Sequence, residues 1–271
     1  MPYLTTSDTC RLFYTFSETD PDLPVVVFLN GLGLTTTYWH SQAKFFADAF
    51  RVLCYDSRAQ GQSDVGVEPL SPARHLADLL ALLDHLGINS ASLVGVSHGA
   101  YVAVSMAAQH PERVNRLVVC NLRAGRYGDS DIVARWLQKL TGEGLEAYAR
   151  DVITAATGRT FRAAHTHLIP MMARAVAARN SIDGLARQLE AMQAYPPAAE
   201  IAGAVIAPAL VIAGEEDEIV PAEDASILAD RMNASAVSIP TAGHSLPVEA
   251  PDRFNSLVRD FLNPIVVEGS R

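Results

Sequence analysis

The pentapeptide Gly95-Val96-Ser97-His98-Gly99 sets a serine between small residues. It lies between the apolar run Ser90–Gly95 and a helix-like run from Ala100 to His110. In that setting Gly-x-Ser-x-Gly makes a sharp strand-to-helix turn. Small flanking residues let neighbouring chains pass closely, the serine stands at the tip, and the helix aims its N-terminal N–H groups at developing negative charge. A serine hydroxyl is a poor nucleophile until a base takes its proton. His244, in Thr241-Ala242-Gly243-His244-Ser245-Leu246-Pro247, follows the last strand-like run and precedes a closing helix, so its loop can return to the serine. His40, His75, His85, His110, His165 and His167 lie in helical stretches and read as surface or packing residues. His98 takes the variable position beside the serine. Its backbone N–H is useful there, and its ring has no task beyond lining the pocket. A histidine base needs an acid to hold its tautomer and stabilise the imidazolium. Glu215, Glu216, Asp217 and Glu218 crowd one turn after an apolar strand, most of them as solvated charges.

Positioning such groups requires a scaffold, and the chain alternates strand and helix signals. The runs Pro24–Leu29, Phe50–Tyr55, Ser90–Gly95, Val114–Cys120, Ala209–Ala213 and Ala236–Ile239 are short, and most are nearly continuously apolar. Strands of that kind suit a mostly parallel sheet buried on both faces. Between them, Pro72–Leu86 carries Leu76, Leu79, Leu80, Leu83 and Leu86 at helical spacing before Gly87, and Pro251–Leu262 carries Phe254, Leu257, Val258 and Phe261. The expected class is α/β, a mostly parallel central sheet flanked by helices. From Leu122 to Glu200 no strand is evident; Ala, Leu, Met and Arg dominate, with stops at Gly142, Gly144, Gly158, Pro170 and Pro196-Pro197. This stretch is expected to be a helical lid inserted in the core, with 122–200 as lid and 1–121 plus 201–271 as core. Trp136, Leu140, Met171, Met172 and Met192 are its candidate apolar pocket walls. The tail after Pro264 is expected to fray.

Composition bounds the possibilities. The 271 residues are 49% hydrophobic and 19% charged, as in a globular protein. A formal net charge of -9 repels phosphate backbones, so nucleic acid is not an expected partner. Cys10, Cys54 and Cys120 lie far apart, with neither metal-ligand spacing nor an even count for a disulfide framework. No basic-then-apolar leader opens the chain, and no apolar run approaches the roughly 20 residues of a membrane span. These features lead us to expect a soluble, cytoplasmic protein.

Several segments resemble the α/β-hydrolase superfamily in order and context: the serine turn, the acidic turn, the histidine loop, Asn30-Gly31-Leu32-Gly33 and Asp56-Ser57-Arg58-Ala59-Gln60-Gly61-Gln62-Ser63. The resemblance implies that Ser97, Asp217 and His244 form a catalytic triad in the family's order. Asp217 matches the family's Gly, two residues, Asp pattern followed by Val-Pro. The family's alternative acid position falls near Asn121, which is not acidic. Asn30-Gly31-Leu32-Gly33 resembles the family's His-Gly-x-Gly oxyanion loop with Asn for His, and implies the backbone N–H groups of Leu32 and His98 as oxyanion donors. The Asp56–Ser63 segment resembles a structural loop with Ala59 where glycine is usual, so Asp56 and Arg58 are expected to brace it. The resemblance implies hydrolysis of a small or medium apolar carboxylic ester, with no metal or organic cofactor. Its alternatives are an acyltransferase and a slow-turnover binding protein. The Asn-Gly opening, Thr35-Thr36-Thr37 and Ala59–Ser63 also look like the acyltransferases that dimerise 3-hydroxyacyl chains for rhamnolipids.

Overall fold

The computed structural model describes residues 2–17 and 20–263; the tail after Pro264 lies outside them. Eight strands form one sheet in the order β1-β2-β4-β3-β5-β6-β7-β8. They are β1 (Tyr3–Thr5), β2 (Arg11–Phe16), β3 (Val25–Leu29), β4 (Arg51–Tyr55), β5 (Ala91–Val96), β6 (Val114–Cys120), β7 (Ala209–Gly214) and β8 (Ser235–Ile239). The six strands from β3 onward pair in parallel, in keeping with the two-sided apolar character of the central ones. On β3, Val25, Val27 and Leu29 join one hydrophobic cluster while Val26 and Phe28 join the other, the period-two alternation of a strand buried on both faces. The first two strands, β1 at the sheet edge and β2 beside it, pair antiparallel. Sequence patterning misses them because β1 is only three residues long and β2 places the exposed polar residues Arg11 and Thr15 on either side of its buried ones.

The helices on the sheet are α1 (His40–Phe46), α2 (Pro72–His85) and α3 (His98–Gln109), and, later in the chain, α10 (Glu223–Met232), α11 (Leu246–Glu249) and α12 (Pro251–Leu262). Ser71 caps α2 by accepting the Arg74 N–H at 3.2 Å, and Pro72 stands in the first turn, where its missing N–H costs nothing. Leu76, Leu79, Leu82 and Leu83 then bury one face of α2 against the sheet. Chain order reverses at β3: β4 pairs on one side of it and β5 on the other. A crevice opens at the carboxyl ends of strands where the order reverses, and Leu32 and Ser97 follow those two ends.

Between β6 and β7 the regular structure is helical: α4 (Asp131–Glu143), α5 (Leu145–Ala155), α6 (Arg159–Ala164), α7 (Leu168–Arg179), α8 (Ile182–Gln193) and α9 (Ala198–Ala202). Residue 200 falls inside α9, which packs on α3 and α10. The inner faces of α4, α5 and α8 join the same hydrophobic cluster as α2 and α3. Among the described residues, no helix is long and apolar enough to cross a membrane.

Candidate active site

Ser97 has φ 53° and ψ −118°, a region that L residues rarely occupy, and it immediately precedes α3. Strain of this kind costs about 1–3 kcal/mol and persists only where the surroundings over-determine it. Here the Ser97 N–H donates to the Cys120 carbonyl at 2.9 Å, and the Ser97 carbonyl accepts from the Tyr101 N–H at 3.0 Å. A Cβ on Gly95 would lie 2.6 Å from the Ala100 backbone, and one on Gly99 would strike the Leu29 and Asn30 carbonyls. The two flanking glycines are therefore steric requirements of the turn.

His244 and Asp217 come from the loops after β8 and β7. His244 Nδ1 lies 2.7 Å from Asp217 Oδ2, with both side chains nearly buried. The other carboxylate oxygen, Oδ1, accepts the N–H groups of Ile219 at 2.8 Å and Val220 at 3.0 Å, which holds the carboxylate plane. This geometry is that of a carboxylate orienting an imidazole and fixing the proton on Nδ1. Nε2 is left for a substrate-facing task.

Asn121 and Glu249 hold these loops. Asn121, in the left-handed region at φ 47°, donates its amide to the carbonyls of Gly243 at 3.2 Å and His244 at 2.9 Å, and accepts the Gly214 N–H at 3.0 Å. It thus ties the loop after β7 to the loop after β8. Glu249 accepts the N–H groups of Gly158 at 2.7 Å, Gly243 at 2.9 Å and Ser245 at 2.9 Å. Burial pushes its carboxyl above the ordinary value, while those N–H groups favour the charged form. Neither residue is in a motif, and the signal that could find them is only their place at strand and loop ends.

The neighbouring acids are not simply solvated. Glu216 accepts the Thr160 N–H and hydroxyl, each at 2.7 Å, and pairs with Arg159 at 3.1 Å; Glu218 pairs with Arg162 at 2.6 Å. Both clamp α6 to the acid loop. Asp56 accepts the Thr36 N–H at 2.6 Å and the Gln62 N–H at 2.9 Å, joining its loop to the segment after β3. Arg58, fully buried, pairs with Asp8 and Asp78, each at 2.6 Å. Ala59 sits at φ 68°, the backbone region that favours glycine. Asn30 donates to the Tyr55 carbonyl at 2.8 Å.

A narrow cavity of about 40 Å³ faces this assembly, lined by Gly31, Leu32, Ser97, His244, Trp136 and Ile153 among others. A larger chamber of about 210 Å³ shares Leu34, Tyr38, Ile153, Val176 and Ser245 with it, and adds Thr35, Thr37, Met172 and Arg179. Of the expected wall residues, Trp136 and Met172 line these spaces. Leu140 and Met192 do not, because their helices turn them into the hydrophobic cluster, with 0% and 2% exposure. Met171 points to solvent at 53% exposure, one helical step from Met172. Val152, Ile153, Ala156 and Val176 supply the apolar surface instead. The His98 ring is also absent from the walls. It is fully buried beneath them, and burial lowers its basicity well below the usual range.

A sequence profile described as alpha/beta hydrolase fold matches residues 24–251. The chain belongs to the α/β-hydrolase family. Its relatives include 3-oxoadipate enol-lactonase 2 of Acinetobacter baylyi, 31% identical over 94% of each chain. The 2-hydroxy-6-oxononadienedioate/2-hydroxy-6-oxononatrienedioate hydrolase of Burkholderia vietnamiensis is 32% identical, over 94% of this chain and 92% of its own. The crystal structure of the enol-lactonase from Burkholderia xenovorans LB400 superimposes with a TM-score of 0.89 at 28% identity, covering 96% of this chain and 99% of that one. This α/β hydrolase is an enzyme of the hydrolase class, and catalytic triads and oxyanion holes are typical of its family.

Proposed function

We propose that this hydrolase cleaves a carboxylic ester through an acyl-enzyme on Ser97. The observation that carries the reading is the junction of one apolar cavity with two groups: a serine on a strained turn, and a histidine whose Nδ1 is 2.7 Å from a buried carboxylate. In this mechanism His244 Nε2 takes the Ser97 proton as Oγ adds to the acyl carbon. The Leu32 and His98 N–H groups receive the oxyanion; backbone donors do not depend on Asn30 replacing histidine. His244 then protonates the leaving alkoxide, and later removes a proton from the water that attacks the acyl-enzyme. Asp217 keeps the imidazole in the Nδ1–H tautomer and offsets the charge of the imidazolium. The helices over the cavity act as a lid whose side chains choose the acyl or alcohol group. The narrow inner space favours a small acyl group, and the wider chamber accommodates the remainder.

Because its relatives include enol-lactonases, cyclic esters belong in the substrate panel. The acyltransferase alternative draws on Thr35 and Thr37. They belong to the segment resembling the 3-hydroxyacyl-dimerising enzymes, and they line the outer chamber where an alcohol acceptor would sit. A panel of p-nitrophenyl esters and lactones, run with and without a 3-hydroxy acid acceptor and followed by product analysis, tests both readings. Free acid as product in every case supports hydrolysis; a new ester formed in water supports transfer. A fluorophosphonate label mapped to any residue other than Ser97 overturns the mechanism.

A further inference from the structure

Beneath the cavity lies a polar cluster that the mechanism above does not use. The side chains of His75, His98, Gln188 and Tyr195 are at most 1% exposed. Gln188, on α8, donates its amide to His98 Nε2 at 3.2 Å and to the Tyr195 hydroxyl at 3.0 Å, and its carbonyl oxygen lies 2.8 Å from His75 Nε2 on α2. The His75 and His98 rings meet edge to face at 4.7 Å between centroids. Both amide hydrogens and the amide oxygen of Gln188 are thus engaged. With Nε2 accepting, His98 carries its proton on Nδ1, and that atom has no partner among the described residues. Apart from a long contact of 3.5 Å with the Tyr195 hydroxyl, Gln188 is the ring's one hydrogen-bond partner among the described residues.

Two of the four members belong to the helical insertion, and a third is the residue whose backbone N–H faces the reacting carbonyl. A buried polar network of this kind is close to all-or-none, because a half-made one leaves desolvated groups unpaired. If the insertion lifts, Gln188 and Tyr195 withdraw from His98 together. We infer that Gln188 and the His98 ring form a positioning link through which the seated insertion registers the oxyanion donor beside Ser97. The link rests on the ester-hydrolase reading, and it adds that a full oxyanion hole exists only with the insertion closed. A substrate that fits the cavity therefore assembles the site that cleaves it.

The decisive variant is Gln188→Met, which keeps the side-chain length and removes its polar atoms. It is expected to lower kcat on a short p-nitrophenyl ester about tenfold, the equivalent of one hydrogen bond, with KM within about twofold. Affinity for a boronic acid that forms a tetrahedral adduct on Ser97 should fall by the same factor. Tyr195→Phe should show the same pattern more weakly. A folded Gln188→Met enzyme with lowered Tm but unchanged kcat and boronate affinity overturns the link and leaves a packing role. If Gln188→Met does not fold, unchanged kcat and boronate affinity in Tyr195→Phe overturn it in its place. A wild-type enzyme that neither hydrolyses esters nor takes a fluorophosphonate label overturns the parent reading along with this one. Active wild type with unaffected variants overturns this inference alone.

Discussion

On the core side of the cavity the reactive groups are held by backbone geometry, while on the insertion side the wall is made of apolar side chains from separate helices. Ser97 depends on a left-handed φ, on two glycines that admit no Cβ, and on the Cys120 carbonyl; Asp217 and His244 depend on main-chain donors and on Asn121. Opposite them, Trp136, Val152, Ile153 and Val176 contribute volume and shape, and many residues could replace them at similar cost. The two sides meet at a polar seam, where Glu216 and Glu218 from the loop after β7 and Glu249 from the end of α11 reach to Gly158 and α6, and where His75 meets Gln188. The contrast teaches where each kind of change would act under the proposed mechanism: chemistry in positions that tolerate almost nothing, and selectivity in positions that tolerate a great deal.

Substitution on the two sides tests that contrast. Ser97→Ala should reduce kcat on every ester alike, on the order of a million-fold, with the fold kept and fluorophosphonate labelling lost. Circular dichroism and labelling check it, and a retained label contradicts the assignment. Asp217→Asn should also act on all esters alike, with about a ten-thousand-fold loss in kcat, as for the acids of serine-protease triads. Adding Asn121→Asp to that variant should recover nothing. It removes the donors to the Gly243 and His244 carbonyls and sets a charge against them. Substantial recovery in the steady-state rate of the double variant shows that Asn121 is not a brace.

The seam gives an intermediate effect that depends on pH. Burial lowers the pKa of His75 from its ordinary 6.5 to about 4. Between those values the unfolded chain binds a proton that the folded protein refuses, so stability falls as pH drops from 6.5 and the loss is complete below about 4. From this group the loss is about 3 kcal/mol, on the order of a hundredfold in the folding constant. The lowered basicity of His98 acts in the same direction. Urea unfolding across this window should therefore show a steeper decline for wild type than for His75→Gln, and equal slopes refute the assignment. The smallest effect belongs to the insertion wall. Met172→Trp, in the outer chamber, should change the ratio of long-chain to short-chain ester hydrolysis about tenfold while short esters stay within about twofold. Met171→Trp, one residue away in solvent, should leave the ratio unchanged. Equal losses on all esters for Met172→Trp place that residue in packing.

Legibility followed locality. The turn at Ser97 is readable because strand, glycines, serine and helix are contiguous, and the geometry of one stretch of backbone decides them. The central parallel strands are readable because they are buried on both faces and so are nearly continuously apolar. The first two strands escape notice because β1 is only three residues long and β2 mixes the exposed Arg11 and Thr15 with buried residues, without a continuous apolar run. The insertion reads as helical from composition, yet its wall residues do not. Which of Leu140, Met171, Met172 and Met192 faces the cavity depends on how each helix is rotated against its neighbours, and a single step on a helix turns a side chain by about 100°.

The sequence by itself determined the α/β class, the strained serine turn and the presence of a histidine and an acid on later loops, because each follows from neighbours along the chain. Only the tertiary structure decided that Asp217, the acid the family pattern points to, lies 2.7 Å from His244, that Glu216 and Glu218 hold the insertion, that Asn121 ties two loops, and that the His98 ring turns away from the cavity into a buried network. The physical reason is common to all four. A short polar side chain acts over the length of one hydrogen bond, about 3 Å, and which partner lies within that distance is set by segments that meet only when the chain is folded.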